Sequence, residues 1–145
     1  NLHPRATNEH KINAIKFNQE NLAKNNGSIL LYSTIAVKQG FTNHTIVSTA
    51  KGAIEGLTLS LAAEFAPKIK VNCIAPSLTD AKMTQKLISN ETIKKAIENM
   101  HPLPKIGSGD DFSDIGSFLL SDKNSWITGQ IFHIDGGRSS LRIKS

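Results

Sequence analysis

The sequence predicts an α/β fold with a thin parallel sheet, and three observations lead there. Residues 28–33, 70–74 and 130–134 are short, nearly continuous apolar runs, as expected of strands covered on both faces. Longer segments with helical periodicity separate them. The resulting order, helix–strand–helix–strand–helix–helix–strand, is the alternation that builds parallel sheets through crossover connections.

Segment 8–26 is polar and rich in Asn and Lys; Ile12, Ile15 and Leu22 stand at roughly helical spacing, and Asn25-Asn26-Gly27 is the stop. Residues 38–43 read as a loop broken by Gly40 and Asn43. The strongest helix covers residues 45–66, with Ala50, Ile54, Leu57, Leu61 and Phe65 in one apolar stripe and Pro67 as terminator. A second stripe, Gly52, Gly56 and Ser60, runs at four-residue spacing. Each glycine inside a helix costs about 1 kcal/mol against alanine, so these residues either admit another backbone or fall there by chance. Residues 83–100 form an amphipathic helical segment with a break at Asn90-Glu91. A loop over 101–110 holds Pro102, Pro104, Gly107 and Gly109. Helix 111–120 carries Phe112, Ile115, Phe118 and Leu119 on its apolar side, and Asp135-Gly136-Gly137 closes the last strand.

A chain of 145 residues suits one domain, and 39% apolar with 20% charged residues is ordinary for a soluble protein. No apolar run approaches the roughly 20 residues of a membrane-spanning helix. The single cysteine, Cys73, has no internal disulfide partner and sits in a strand, which fits a cytoplasmic protein. The net charge of +5 is spread over scattered lysines. Its one dense run, 138–144, has no interleaved aromatics, so it reads as solvated surface and not as a nucleic-acid site. Residues 1–5 hold neither an initiator methionine nor a signal pattern, so the chain is expected to be a fragment, a processed product or an expressed segment.

Ligands of open parallel sheets bind beyond the carboxyl ends of the strands. Those ends are Ser33-Thr34, Ala75-Pro76-Ser77-Leu78-Thr79 and Asp135-Gly136-Gly137. Lys51, early in the long helix, falls near them. It is either a group that holds a ribose or lowers the pKa of a neighbouring proton donor, or an exposed helix lysine.

Four stretches carry a family resemblance. Gly27-Ser28-Ile29-Leu30-Leu31-Tyr32-Ser33-Thr34 resembles the strand that delivers the catalytic serine of short-chain dehydrogenases/reductases. Ala50-Lys51-Gly52-Ala53-Ile54-Glu55-Gly56-Leu57-Thr58 resembles their S-K-x-A-x-x-G-x-T helix. Val71-Asn72-Cys73-Ile74-Ala75-Pro76 is similar to R-V-N-x-I-x-P-G, and Ile127-Thr128-Gly129-Gln130 with Asp135-Gly136-Gly137 to I-T-G-Q…D-G-G. The matches keep family order and spacing across about residues 27–138. The resemblance implies the C-terminal half of one Rossmann-like, doubly wound domain, of about three strands with flanking helices. The half with the glycine-rich phosphate loop is absent from these residues. It also implies NAD or NADP as cofactor, a small carbonyl or alcohol substrate, and a homo-oligomer, dimer or tetramer, built through helix 45–66.

Carried over residue by residue, the family's serine falls on Thr34 and its lysine on Lys51. Its tyrosine, four residues before the lysine and thirteen after the serine, falls on Val47, which has no proton to give. Tyr32 lies on the preceding strand; His44, in the loop before the helix, is the nearest titratable candidate for the proton transfer. On the cofactor side the expected residues are Lys51, Pro76, Ser77 and Thr79, with serine at 77 where the family has glycine and Ala81 where it has threonine. The active-site asparagine aligns loosely with Asn8. Two functions follow as expectations: an NAD(P)-dependent oxidoreductase, or a catalytically silent homologue that binds a nucleotide or serves assembly.

Overall fold

The computed structural model describes residues 8–82 and 84–143; the expectation drawn from residues 1–5 lies outside them. The elements are α1 (Asn8–Lys24), β1 (Ser28–Tyr32), α2 (Ala36–Gln39), α3 (Thr45–Phe65), β2 (Lys70–Pro76), α4 (Gln85–Ile88), α5 (Glu91–Glu98), α6 (Asp110–Leu120) and β3 (Ile131–Ile134). The three strands form one parallel sheet in the order β1-β2-β3. Strand β2 is central, and Val71 through Ala75 are fully buried, which is why that stretch reads as a continuous apolar run.

Helices α1 and α3 cover one face of the sheet. Ile15, Leu31, Ile54, Leu61, Phe65, Val71 and Cys73 form the core there. On the other face α6 lies against β1, where a Cβ added at Gly116 would stand 3.4 Å from Leu30. The alternation of Leu30 and Leu31 between these two helices is the period of a strand.

Two details correct the sequence expectations and a third bears one out. Residues 36–39, placed partly in a loop, form the single turn α2. One local and one tertiary bond hold that turn: Ala36 N–H donates to Thr34 Oγ1 at 3.4 Å and Ser48 Oγ donates to Ala36 O at 3.0 Å. Ala50 is exposed, so the inward stripe of α3 is Ile54, Thr58, Leu61, Ala62 and Phe65, with Leu57 half-buried against the same core. Residues 84–100 of the expected segment hold two helices, divided where expected: the Asn90 side chain accepts from Ile93 N–H at 3.1 Å and starts α5 afresh.

The I-T-G-Q stretch is tied to β2 by polar groups. Asn72, buried in the central strand, donates to Ile127 O at 2.9 Å and accepts from Gln130 N–H at 3.0 Å. Asn124, equally buried, accepts from Ile127 N–H at 2.9 Å and donates to Leu119 O. Thr128 Oγ1 accepts from Val71 N–H, and Gly129 N–H donates to Val71 O at 2.7 Å. Gly129 makes that turn at φ +69°, a region that side chains rarely enter. These bonds set β3 in register beside β2.

Candidate active site

Parallel pairing brings the carboxyl ends of the strands to one edge, and a cleft of about 670 Å³ opens there. Thr34, His44, Val47, Pro76, Ser77, Thr79 and Ala81 all stand on its wall. Most of the residues singled out in the sequence are therefore gathered in one place. Lys51 is not on that wall. Its Nζ turns to the end of β1 and donates to Tyr32 O at 2.9 Å. Burial lowers its pKa from the ordinary lysine range, and the nearby charge of Lys11 adds to the effect. Asn8 stands beside the same turn of α3, its amide donating to Ala50 O at 3.2 Å.

The two hydroxyls at the end of β1 have different tasks. Ser33 is buried and bonds Glu55 at 2.6 Å, which fastens β1 to α3. Thr34 accepts from Ala36 N–H, which leaves its own O–H to donate. Val47, one turn before Lys51, is 40% exposed and offers only methyl groups to the cleft. Tyr32 projects to the opposite side of the sheet, its hydroxyl 3.8 Å from where Gly116 would carry a Cβ.

His44 caps the start of α3 at the cleft rim. Its Nδ1 lies 2.8 Å from Thr42 O, and a carbonyl only accepts, so Nδ1 carries the hydrogen and Nε2 is free to take or give a proton. The ring meets Phe41 edge-on at 5.5 Å, and the Arg138 guanidinium covers Phe41 at 4.7 Å from the ring centre. Arg138 thus forms a cationic corner of the cleft, on a wall that also includes the apolar Leu87, Ile97 and Met100.

Sequence reasoning missed a histidine. His101, assigned to a loop, is only 3% exposed and its Nε2 lies 2.7 Å from Ser77 Oγ. Its Nδ1 lies 2.8 Å from Ile97 O. The serine at 77, where the family pattern has glycine, was the available signal, since a hydroxyl at a buried strand end requires a partner. A second, smaller cavity of about 220 Å³ also reaches Ser77 and His101. Its charged groups are Lys105, Asp111 and Asp135. Lys105 pairs with Asp111, and that bond, with those from Ser108, holds the Asp111 carboxyl down at about 2. Burial opposes ionisation of Asp135, but hydrogen bonds from Ser139 and Gly137 outweigh it and keep its pKa below the usual carboxylate range. Cys73 lies in the core, where burial pushes its thiol up, away from the reactive thiolate. Among the described residues no group of three or more His, Cys, Asp or Glu could hold a metal ion.

A three-stranded parallel sheet with helices on both faces and a cleft at its carboxyl edge defines half of a dinucleotide-binding type of domain. Residues 12–139 match the family model described as enoyl-(acyl carrier protein) reductase. The chain belongs to the short-chain dehydrogenase/reductase family. It is 35% identical over 120 residues to an uncharacterised oxidoreductase of Mycobacterium tuberculosis, covering 82% of this chain and 47% of that protein. Over 115 residues it is 35% identical to dehydrogenase/reductase SDR family member 4 of Sus scrofa, covering 79% and 41%. The structure of ElxO with NADP bound superposes with a TM-score of 0.80 at 35% identity, covering 88% of this chain and 52% of that one. Thermoplasma acidophilum aldohexose dehydrogenase gives a TM-score of 0.86 at 26% identity, covering 94% and 57%. The chain spans about half the length of the relatives it matches.

Proposed function

We propose that this chain forms the substrate-side half of an NAD(P)-dependent oxidoreductase acting on a small carbonyl or alcohol compound. One observation carries this reading: Thr34, Pro76, Ser77 and Thr79 meet in a single cleft at the carboxyl edge of the sheet, with Lys51 one helical turn behind it. The residues present fit a nicotinamide. Lys51 is the cation for its ribose, and the 76–79 segment offers backbone groups to its carboxamide. When bound, the nicotinamide supplies or accepts the hydride. The chain's own part is to orient and to exclude water: Thr34 donates its O–H to the substrate oxygen, and apolar Val47, Leu87 and Met100 enclose the rest. His44, at the rim, is a candidate to carry the proton.

Val47 favours a second reading, a silent homologue that binds the nucleotide without turning substrate over. Assembly supports either reading. The outer face of α3 exposes Ile46, Gly56, Leu59 and Ser60, and apart from the surrounding turns of α3 itself no described atom comes within 4 Å of a Cβ placed at Gly56. A second subunit would cover that face and give a homo-oligomer. No helix among the described residues is long and apolar enough to cross a membrane, and the one buried thiol suits the reducing cytoplasm.

The test uses the protein expressed from its complete reading frame, with NADH and NADPH titrated by fluorescence and a panel of ketones and aldehydes assayed. Binding with turnover supports the oxidoreductase; binding without turnover supports the silent homologue; no binding of either nucleotide contradicts both.

A further inference from the structure

We infer that Ser77 is the group that exchanges the proton with the substrate oxygen, with His101 behind it as the residue that stores and reloads that proton. The inference rests on the oxidoreductase reading of the same cleft.

The geometry starts from the histidine. Ile97 O can only accept, so the hydrogen on Nδ1 is fixed and Nε2 faces Ser77 Oγ at 2.7 Å. In the neutral pair, Ser77 donates to Nε2. In the protonated pair, Nε2–H donates to Ser77 Oγ and the serine O–H turns elsewhere. Ser77 stands on the wall of the large cleft beside Thr34 and Val47, whereas His101 stands on the wall of the smaller cavity. The pair therefore bridges two spaces. One holds the substrate oxygen near Thr34; the other can return a proton to His101 from solvent. His44 is exposed at the rim and bridges nothing comparable.

The step balances in both directions. In reduction the carbonyl carbon receives hydride and its oxygen takes the Ser77 proton. Ser77 takes the Nε2 proton, leaving neutral His101, which reloads from water in the smaller cavity. In oxidation the alcohol proton passes to Ser77, the serine proton passes to Nε2, and the carbon gives up hydride. The charged groups facing His101 are few. Lys105 and Asp111 neutralise each other, and Asp135 is held by the N–H groups of Gly137 and Ser139. Arg138 lines the cleft and donates to the sulfur of Met100, the residue before His101, at 3.4 Å. Reduction then requires His101 charged and oxidation requires it neutral, so the two rates respond oppositely to pH.

The test compares wild type, Ser77→Gly, Ser77→Thr, His101→Gln and His44→Ala in the complete protein, with a β-keto ester and a cyclic ketone as probes. Ser77→Gly should lower kcat for reduction by about 10²–10⁴-fold, and Ser77→Thr should restore much of it. His101→Gln should abolish the opposite pH slopes of reduction and oxidation. Without cofactor or substrate, nitrogen NMR should show the His101 Nε2 resonance, which loses its Ser77 partner, moving in Ser77→Gly and staying put in His44→Ala. A Ser77→Gly enzyme within about twofold of wild type, or an unchanged pH profile in His101→Gln, overturns the relay and leaves the oxidoreductase reading standing. Nucleotide binding with no turnover by wild type overturns both.

Discussion

Val47 stands on the cleft wall one turn before Lys51 and carries no dissociable proton. Placing a phenol there tests the position directly. Val47→Tyr is expected to raise kcat for carbonyl reduction by roughly tenfold or more if the native proton route is weak, since general acid catalysis is worth about 10²–10⁴-fold. Unchanged turnover would mean that residue 47 is remote from the reacting oxygen. Lys51→Ala is expected to weaken NADPH binding roughly ten- to a hundredfold, the range of a hydrogen bond from a charged group. Fluorescence titration measures it, and an unchanged Kd would contradict the ribose role. These positions were legible because motif spacing is counted along the chain. His101 was not, because its value lies in a serine 24 residues away, and no local pattern links a loop histidine to a strand end.

The elements were legible in proportion to how local their causes are. Helix α3 follows from its own periodicity, and the break between α4 and α5 from Asn90. Turn α2 escaped notice because Thr34 and Ser48 hold it from outside its own sequence. The polar contacts between β2 and the 124–130 turn yield a stability prediction. Asn72→Ala strands buried Ile127 and Gln130 groups, each worth about 1–3 kcal/mol, so the urea midpoint should fall sharply without a change in slope. An effect below about 0.5 kcal/mol would deny this network its part in fixing β3. At the start of α6, Asp111 titrates at about 2 in the folded chain against about 3.9 unfolded. Its folded value is depressed, so its contribution is present above pH ~4 and is lost as pH falls toward about 2. Asp111→Asn should flatten that part of the acid limb in urea titrations at pH 5 and pH 2.5. An equally steep loss in the variant would assign the limb to other carboxylates.

At the scale of the whole molecule the open surfaces matter most. Among the described strands β1 and β3 each pair along one edge only, both with β2, and such an edge recruits other strands. Expressed alone, residues 1–145 should therefore aggregate or associate, as light scattering would report; a cooperative monomer with a sharp thermal transition would contradict this. The outer face of α3 gives a related prediction. Gly56→Leu in the complete protein should dissociate the oligomer in sedimentation runs, and an unchanged mass would reject α3 as an interface. Neither surface could be fully read from sequence, since small and apolar residues on a helix describe a close neighbour and an exposed flank equally well. The central claim, hydride transfer at the cleft of Thr34 and Ser77 with Lys51 behind it, is tested most directly by isotope. The complete protein is incubated with NADPH deuterated at the transferring carbon and a panel of ketones. Deuterium on the carbinol carbon of the product, formed by wild type and strongly reduced in Lys51→Ala, is the predicted result. Bound NADPH with no deuterium in any product would contradict it.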